Sequence, residues 1–159
     1  MVRICFVCFA NICRSPLAEG IMQSLVEDAG LQEEIVSESA GTHAAEGTPR
    51  DPRSRSTARS HGIELHGQSR RFEPNDFDDY EYVLALDHEN LDSLQRLART
   101  DEERSRVHLL RDFDPDSARA SEVPDPYRGG PEGFEIAYQM IDSACRGLLD
   151  KVREGRVES

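Results

Sequence analysis

A run of apolar residues at 2–7, broken only by Arg3, ends at Cys8, and a helical pattern takes over at Pro16. An apolar run of that length without alternation reads as a strand buried on both faces, the mark of a parallel sheet covered by helices. From Pro16 the apolar residues recur as Leu17, Ile21 and Leu25, with Ala18, Met22 and Val26 beside them. That is helical spacing over 16–29, and Gly30 supplies the C-cap. The stretch between, Cys8-Phe9-Ala10-Asn11-Ile12-Cys13-Arg14-Ser15, is therefore a turn from a central strand into a helix. Successive backbone N–H groups in such a turn point inward, and the helix N-terminus adds partial positive charge, so the loop is an oxyanion cradle.

The turn carries chemistry as well as geometry. Five residues separate Cys8 from Arg14, which puts a thiol at the floor of the cradle and a guanidinium on its wall. A thiol attacks only as its thiolate, and the inward amides, the helix N-terminus and Arg14 all favour the charged form. The same cradle accepts a tetrahedral dianion, and Arg14 can grip two of its oxygens at once as lysine cannot. Ser15 has two readings: a hydroxyl donated to the sulfur to steady it as a leaving group, or the N-cap of the helix with Pro16 at N1. Asn11 suits a left-handed residue inside a tight loop. The bland alternative is an ordinary turn around a buried cysteine; the strand before it and the helix after it argue for the cradle.

The rest of the chain alternates in the same manner. Residues 35–37 read as a second short strand, 41–52 as a loop rich in Gly, Pro and Thr, and 54–60 as a short helix ending at Gly62. Residues 73–79 are a loop or short helix. A clear strand at 82–86 has Asp87 at its C-terminal end, and 88–97 is helical with Leu91, Leu94 and Leu97 on one face. A strand at 107–110 leads into a long acidic loop with three prolines, 112–126. The last helix, 131–152, buries Phe134, Ala137, Met140, Ile141, Ala144, Leu148 and Val152. Strands alternating with helices predict an α/β fold, an open four-stranded parallel sheet with helices on both faces. Right-handed crossovers leave few arrangements, and order 2-1-3-4 puts the first strand at the switch point where such sheets bind ligands. The Cys8 loop leaves the carboxyl end of that strand.

A phosphate monoester needs its leaving oxygen protonated as the P–O bond breaks, and a carboxylic acid can do this. Asp125 sits in the loop after the last strand, at the sheet's carboxyl end; Pro126 restricts its backbone, and Tyr127 can stack on an aromatic leaving group. Asp114 and Asp116, flanking Pro115, read as solvated turn residues.

These residues resemble the active-site loop of the low-molecular-weight protein tyrosine phosphatases. Further matches are Ser39-Ala40-Gly41-Thr42, Asp51-Pro52-Arg53, His61-Gly62-Ile63, and Asp125-Pro126-Tyr127 followed by Gly129-Gly130. The resemblance implies a flavodoxin-like three-layer fold with Cys8 as nucleophile, Arg14 as phosphate clamp and Asp125 as general acid. It implies a pocket formed by Phe9, Ala10, Asn11, Ile12, Cys13, Ser15 and Tyr127, and a supporting network of Ser15, Asn11 and Ser39. It also implies a reversible Cys8–Cys13 disulfide that shields the nucleophile, the alternative being that Cys13 merely packs. No metal or cofactor is expected. The loop 43–48 has the length found in bacterial members linked to exopolysaccharide synthesis, so a tyrosine kinase of that process is an implied partner beside phosphotyrosine proteins.

The chain departs from the family pattern at several places. Ala10 stands where a glycine is usual, at a cost of about 1 kcal/mol if its φ is positive. Loop 43–48 has none of the usual aromatics, which leaves one pocket wall open. Gln68, with His66 nearby, replaces a histidine that supports the active-site loop. Arg128 follows Tyr127 as a solvated residue or a contact for an acidic neighbour of the phosphotyrosine. Rivals within the resemblance are arsenate reductase, which needs resolving cysteines absent between Cys13 and Cys145, and protein-arginine phosphatase, which carries threonine at the place of Ile12. A phosphocysteine carrier of sugar transport would need neither Arg14 nor Asp125, and a non-catalytic phosphate-binding module would need no nucleophile.

Composition narrows the remainder. A length of 159 residues predicts one domain, 1–159. A net charge of −12 argues against nucleic acid as a partner. No apolar run reaches the length of a membrane span, and the first apolar segment is too short for a signal peptide, so a cytoplasmic monomer or weak dimer is expected. Cys5 and Cys8 have thioredoxin-like spacing, but Cys5 falls inside the strand pattern and is read as core, and no cluster completes a zinc site.

Overall fold

The computed structural model describes residues 1–127 and 129–158, with side chains through 155; Arg128 and the reading attached to it lie outside the described residues. Four strands form one parallel sheet in the order β2-β1-β3-β4. They are β1 (Val2–Cys8), β2 (Ile35–Gly41), β3 (Tyr82–Ala85) and β4 (Val107–Leu109). The helices are α1 (Arg14–Asp28), α2 (Pro52–Ser60), α3 (His88–Leu97), α4 (Asp101–Arg104) and α5 (Pro131–Glu158), with 3₁₀ turns at Pro74–Asp78 and Leu110–Phe113. Among the described residues no helix is long and apolar enough to cross a membrane.

The unbroken apolar run of β1 is explained by its two faces. Ile4, Phe6 and Cys8 join a core with Leu17, Ile21 and Met22 of α1, Ala58 of α2, and Ile141, Ala144 and Leu148 of α5. Cys5 and Val7 join the opposite core with Phe72, Phe77 and Leu94 of α3. Cys5 is thus core, as its place in the strand predicts, and Cys145 is buried in α5 beside the Ala18 carbonyl. Met140 is only partly buried, while its six companions on the predicted face are buried.

Boundaries differ where local chemistry overrides pattern. Strand β2 continues to Gly41, well past residue 37, because it is the sheet's edge and tolerates the polar Ser37, Glu38 and Ser39. Helix α1 begins at Arg14 with Cys13 as N-cap and no side-chain cap, so Ser15 is not the cap and Pro16 is not N1. At its other end Ala29 is the C-cap and Gly30 follows at φ 72°. The N–H groups of Gly30 and Leu31 donate to the carbonyls of Glu27 and Val26, a Schellman closure. Helix α4 has no counterpart in the sequence pattern; it is one turn long, too short for periodicity, and is started by the Thr100 hydroxyl accepting from the Glu103 N–H.

Helix α5 lies directly on the turn that follows β4. A Cβ added at Gly147 would stand 1.9 Å from the Phe113 carbonyl oxygen. Backbone cannot yield as a flexible side chain can, so Gly147→Ala is expected to destabilise the fold by about 2–3 kcal/mol. Urea denaturation monitored by far-ultraviolet circular dichroism checks this; an unchanged midpoint would show the helix free to lift.

Candidate active site

The site forms where β1 ends. Cys8 is its last residue, and the chain then turns through 9–13 into α1. Asn11 takes φ 59° at the tightest point, as its type predicts. Ala10 is not among the residues with positive φ, so the missing glycine carries no left-handed strain. The neighbouring strand presses close: a Cβ at Gly41 would stand 2.7 Å from the Phe9 oxygen and 3.0 Å from the Asn11 nitrogen. The Thr42 and His43 N–H groups donate to the carbonyls of Cys8 and Phe9, stitching the end of β2 to the cradle.

Below the loop, the expected support network is assembled. Ser15 Oγ lies 2.9 Å from Cys8 Sγ, and Asn11 Nδ2 donates to Ser15 Oγ at 2.8 Å and to Ser39 Oγ at 3.0 Å. Of the two Ser15 readings, the contact with sulfur is therefore the one realised. Asn11 and Ser15 are fully buried and lie beneath the cavity, outside its lining.

Above the loop is a cavity of about 280 Å³ lined by Cys8, Phe9, Ala10, Ile12, Cys13, Arg14, Asp125 and Tyr127. Arg14 is only 2% exposed. Its Nη1 donates to Asp87 Oδ2 at 2.8 Å and to the Val123 carbonyl at 2.9 Å, while Nη2 stands 3.7 Å from Asp125 Oδ2. One nitrogen is thus anchored on the protein and the other is turned toward the cavity. Burial works to lower the pKa of Arg14, but Cys8, Asp87 and Asp125 outweigh it and hold it above the ordinary guanidinium value. Burial pushes the Cys13 thiol upward, and Asp51, Cys8 and Asp125 act in the same direction, so Cys13 presents a neutral thiol.

The loop bearing Asp125 is held from two sides. Asp125 Oδ1 accepts from the Tyr127 N–H at 3.0 Å. Arg53 donates to the Tyr127 carbonyl at 2.7 Å, its guanidinium lying 5.1 Å from the Tyr127 ring and 4.7 Å from that of Phe134. Arg53 also pairs with Asp51, the N-cap of α2, whose carboxyl it holds below the usual carboxylate range. Asp114, read from sequence as a solvated turn residue, is buried and accepts from the Asp116 N–H and the Ser143 hydroxyl.

Two departures resolve differently from the sequence reading. The expected open wall is backed: the His43 ring stacks on Phe9 at 4.7 Å and 20°, although no residue of 43–48 lines the cavity. At the place read for Gln68, with His66 nearby, the contacts to the loop come from Arg50, which donates to the Asn11 carbonyl at 2.7 Å, and from the Arg70 N–H, which donates to Asn11 Oδ1 at 3.0 Å; of His66, the carbonyl accepts from Arg50 Nε. Arg50, Glu19, Asp87 and Arg53 all have no role in the sequence reading. Asp87 has a signal, since an aspartate between a strand's carboxyl end and a helix points into the site of such sheets; Arg50 has none.

Known proteins share this sequence pattern and fold. Residues 3–158 match the family described as low molecular weight phosphotyrosine protein phosphatase. A low molecular weight protein-tyrosine-phosphatase of Streptomyces coelicolor is 45% identical over 156 residues, covering 96% of this chain and 94% of that protein. The crystal structure of a protein tyrosine phosphatase from Entamoeba histolytica, with Hepes in the active site, superposes with TM-score 0.92 at 32% identity, over 98% of this chain and 99% of that one. The YwlE arginine phosphatase from Geobacillus stearothermophilus superposes with TM-score 0.85 at 26% identity, over 99% and 97% of the two chains.

Proposed function

The chain belongs to the low molecular weight phosphotyrosine protein phosphatase family and is a protein-tyrosine phosphatase, a hydrolase; from that premise we propose a two-step mechanism through a phosphocysteine on Cys8. The observation that carries it is the convergence of Cys8, Arg14 and Asp125 on one cavity with the Ser15 hydroxyl 2.9 Å from the sulfur.

In the first step the Cys8 thiolate attacks phosphorus in line with the aryl oxygen. An S–P bond forms, the P–O bond breaks, and the Asp125 carboxylic proton passes to the departing phenol oxygen. In the second step water attacks phosphorus, the Asp125 carboxylate takes its proton, and the sulfur leaves as thiolate with Ser15 donating to it. Arg14 Nη2 and the cradle amides hold the equatorial oxygens through both steps, and neither step calls for a metal. Ile12 and Phe9 give the ring apolar contact, and Tyr127 offers a stacking face. Residues 1–159 act as one phosphatase domain in the cytoplasm on phosphotyrosine proteins, with a tyrosine kinase of exopolysaccharide synthesis as partner.

Arginine phosphatase is the reading nearest to this one, since the YwlE enzyme shares the fold. Ile12 opposes it: an isoleucine side chain lining the cavity offers a guanidino leaving group no hydrogen bond. Arsenate reduction is opposed by Cys145, which is buried in the core and cannot reach the cradle.

The test is leaving-group dependence without added metal. Asp125→Ala is expected to lose about 10²–10³-fold on phosphotyrosine, a poor leaving group, and far less on p-nitrophenyl phosphate, whose leaving group departs unprotonated. Equal losses on both substrates would remove Asp125 from the acid role. Phosphoarginine assayed in parallel is expected to be turned over poorly.

A further inference from the structure

Arg50 stands outside the cavity, on the far side of the loop from the substrate, yet it is only 6% exposed and engages the loop at its tightest residue. Its Nη1 donates to the Asn11 carbonyl at 2.7 Å and to Asn11 Oδ1 at 3.1 Å. Its Nε donates to the His66 carbonyl at 3.1 Å, and its Nη2 approaches Ser39 Oγ at 3.5 Å and Glu19 Oε1 at 3.6 Å. The hydrogen bonds beyond it run in one direction. Arg50 donates to Asn11 Oδ1 beside the Arg70 N–H, Asn11 Nδ2 donates to Ser15 Oγ, and the Ser15 hydroxyl has Cys8 Sγ at 2.9 Å as its near acceptor, with the Ala40 carbonyl farther off at 3.4 Å. Ser39 is fixed beside this chain, accepting from Asn11 and donating to Glu19. A cation at the head of a chain of aligned donors polarises every bond in it.

We infer that Arg50, balanced by Glu19, is a positioning pair that sets the reactivity of the Cys8 sulfur through the chain Arg50–Asn11–Ser15–Cys8. The inference rests on Cys8 being the nucleophile. Arg50 acts in two ways. It holds the Asn11 carbonyl out of the cradle, so that the loop's N–H groups stay turned inward. Its fixed charge strengthens the donation from Ser15 to sulfur. Glu19 offsets part of that charge. Cys8 acts on the Arg14 and Arg50 guanidiniums and on the Cys13 thiol; Arg14 also faces Asp87 and Asp125, and Cys13 also faces Asp51, Asp125 and Arg53.

The two members therefore have opposite signs in the chemistry, although both support the loop structurally. The readout is the rate of Cys8 alkylation by neutral iodoacetamide at about pH 6, located by mass spectrometry, alongside kcat, KM and the thermal midpoint. Arg50→Met is expected to slow alkylation and lower kcat about tenfold, the weight of one hydrogen bond to a charged group, with a much smaller change in KM. Arg50→Lys keeps the charge, reaches fewer acceptors and falls between. Glu19→Gln leaves the Arg50 charge unopposed and is expected to speed alkylation about threefold while lowering the thermal midpoint. Alkylation that slows in Glu19→Gln overturns the inference, because a loosened loop slows it in every variant. So does Arg50→Met reacting at the wild-type rate. Should Arg50→Met fail to fold, the direction seen in Glu19→Gln decides alone. Alkylation needs no turnover, so this result stays distinct from failure of the phosphocysteine mechanism, which acid-quench analysis of the unaltered enzyme reads separately.

Discussion

Cys8→Ser is expected to abolish turnover, by about 10⁵-fold or more, on every phosphomonoester tested. The substitution exchanges a thiol, which as a chemical class is far more acidic than an alcohol and attacks as its anion, for a hydroxyl that needs a base to attack. Among the described residues the sulfur has the Ser15 hydroxyl at 2.9 Å and interacts with the Arg14 guanidinium and the neutral Cys13 thiol, none of which is such a base. Asp125, the one carboxylate among the described residues that line the cavity, is held toward Arg14 and Tyr127, and the first step requires it as an acid. The fold should survive, because oxygen is smaller than sulfur and Cys8 is anchored by its strand pairing with Gly41. Binding of inorganic phosphate, read by calorimetry, is therefore expected to persist while catalysis is lost. Acid quench of the unaltered enzyme during turnover should find phosphorus on Cys8, and none on the serine variant. Residual turnover above about 1% would mean that the nucleophile lies elsewhere.

Local pattern reveals some of this site and hides the rest, for physical reasons. Strand β1 and its turn are legible in the sequence because a strand buried on both faces leaves an unbroken apolar run, and because Cys8 and Arg14 lie in one local segment. The end of β2 is not, since Ser37, Glu38 and Ser39 on an edge strand look like the start of a loop. Asp125-Pro126-Tyr127 alone reads as a turn; only with Cys8 and Arg14 upstream does its place after the last strand direct Asp125 to the cavity it lines. Asp87 is easily passed over because it sits where a helix N-cap belongs, and it does cap α3 by accepting from the Asn90 N–H with Oδ1. Its second oxygen, on Arg14, is a tertiary fact that no local pattern records. Ser15 misleads in the opposite sense: good cap chemistry in sequence, but a helix that starts earlier and turns the hydroxyl to sulfur. Arg50 lies in a Gly-, Pro- and Thr-rich stretch that reads as solvated loop, and its partner Asn11 is 39 positions away.

The double anchorage of Arg14 yields the second large effect. Arg14→Lys is expected to lower kcat about 10³-fold and to weaken phosphate binding about tenfold or more, although the charge is kept. The guanidinium spans two jobs with one plane: Nη1 is fixed by Asp87 and Val123, and Nη2 is thereby aimed at the cavity. A lysine ammonium is a single point. Drawn to Asp87 it leaves the equatorial oxygens, and drawn to the phosphate it leaves Asp87 without its partner. The transition state loses more than the ground state, since its charge is spread over three oxygens that a fork can follow and a point cannot. Loss should therefore fall mainly on kcat. Asp87→Asn separates aim from charge: Arg14 keeps its cation and its bond to the Val123 carbonyl, so a smaller loss of about ten- to a hundredfold is expected, with phosphate affinity nearly retained. If Arg14→Lys and Asp87→Asn fall by the same factor, the guanidinium acts only as a fixed positive charge, and the anchored fork is not what positions the phosphoryl group.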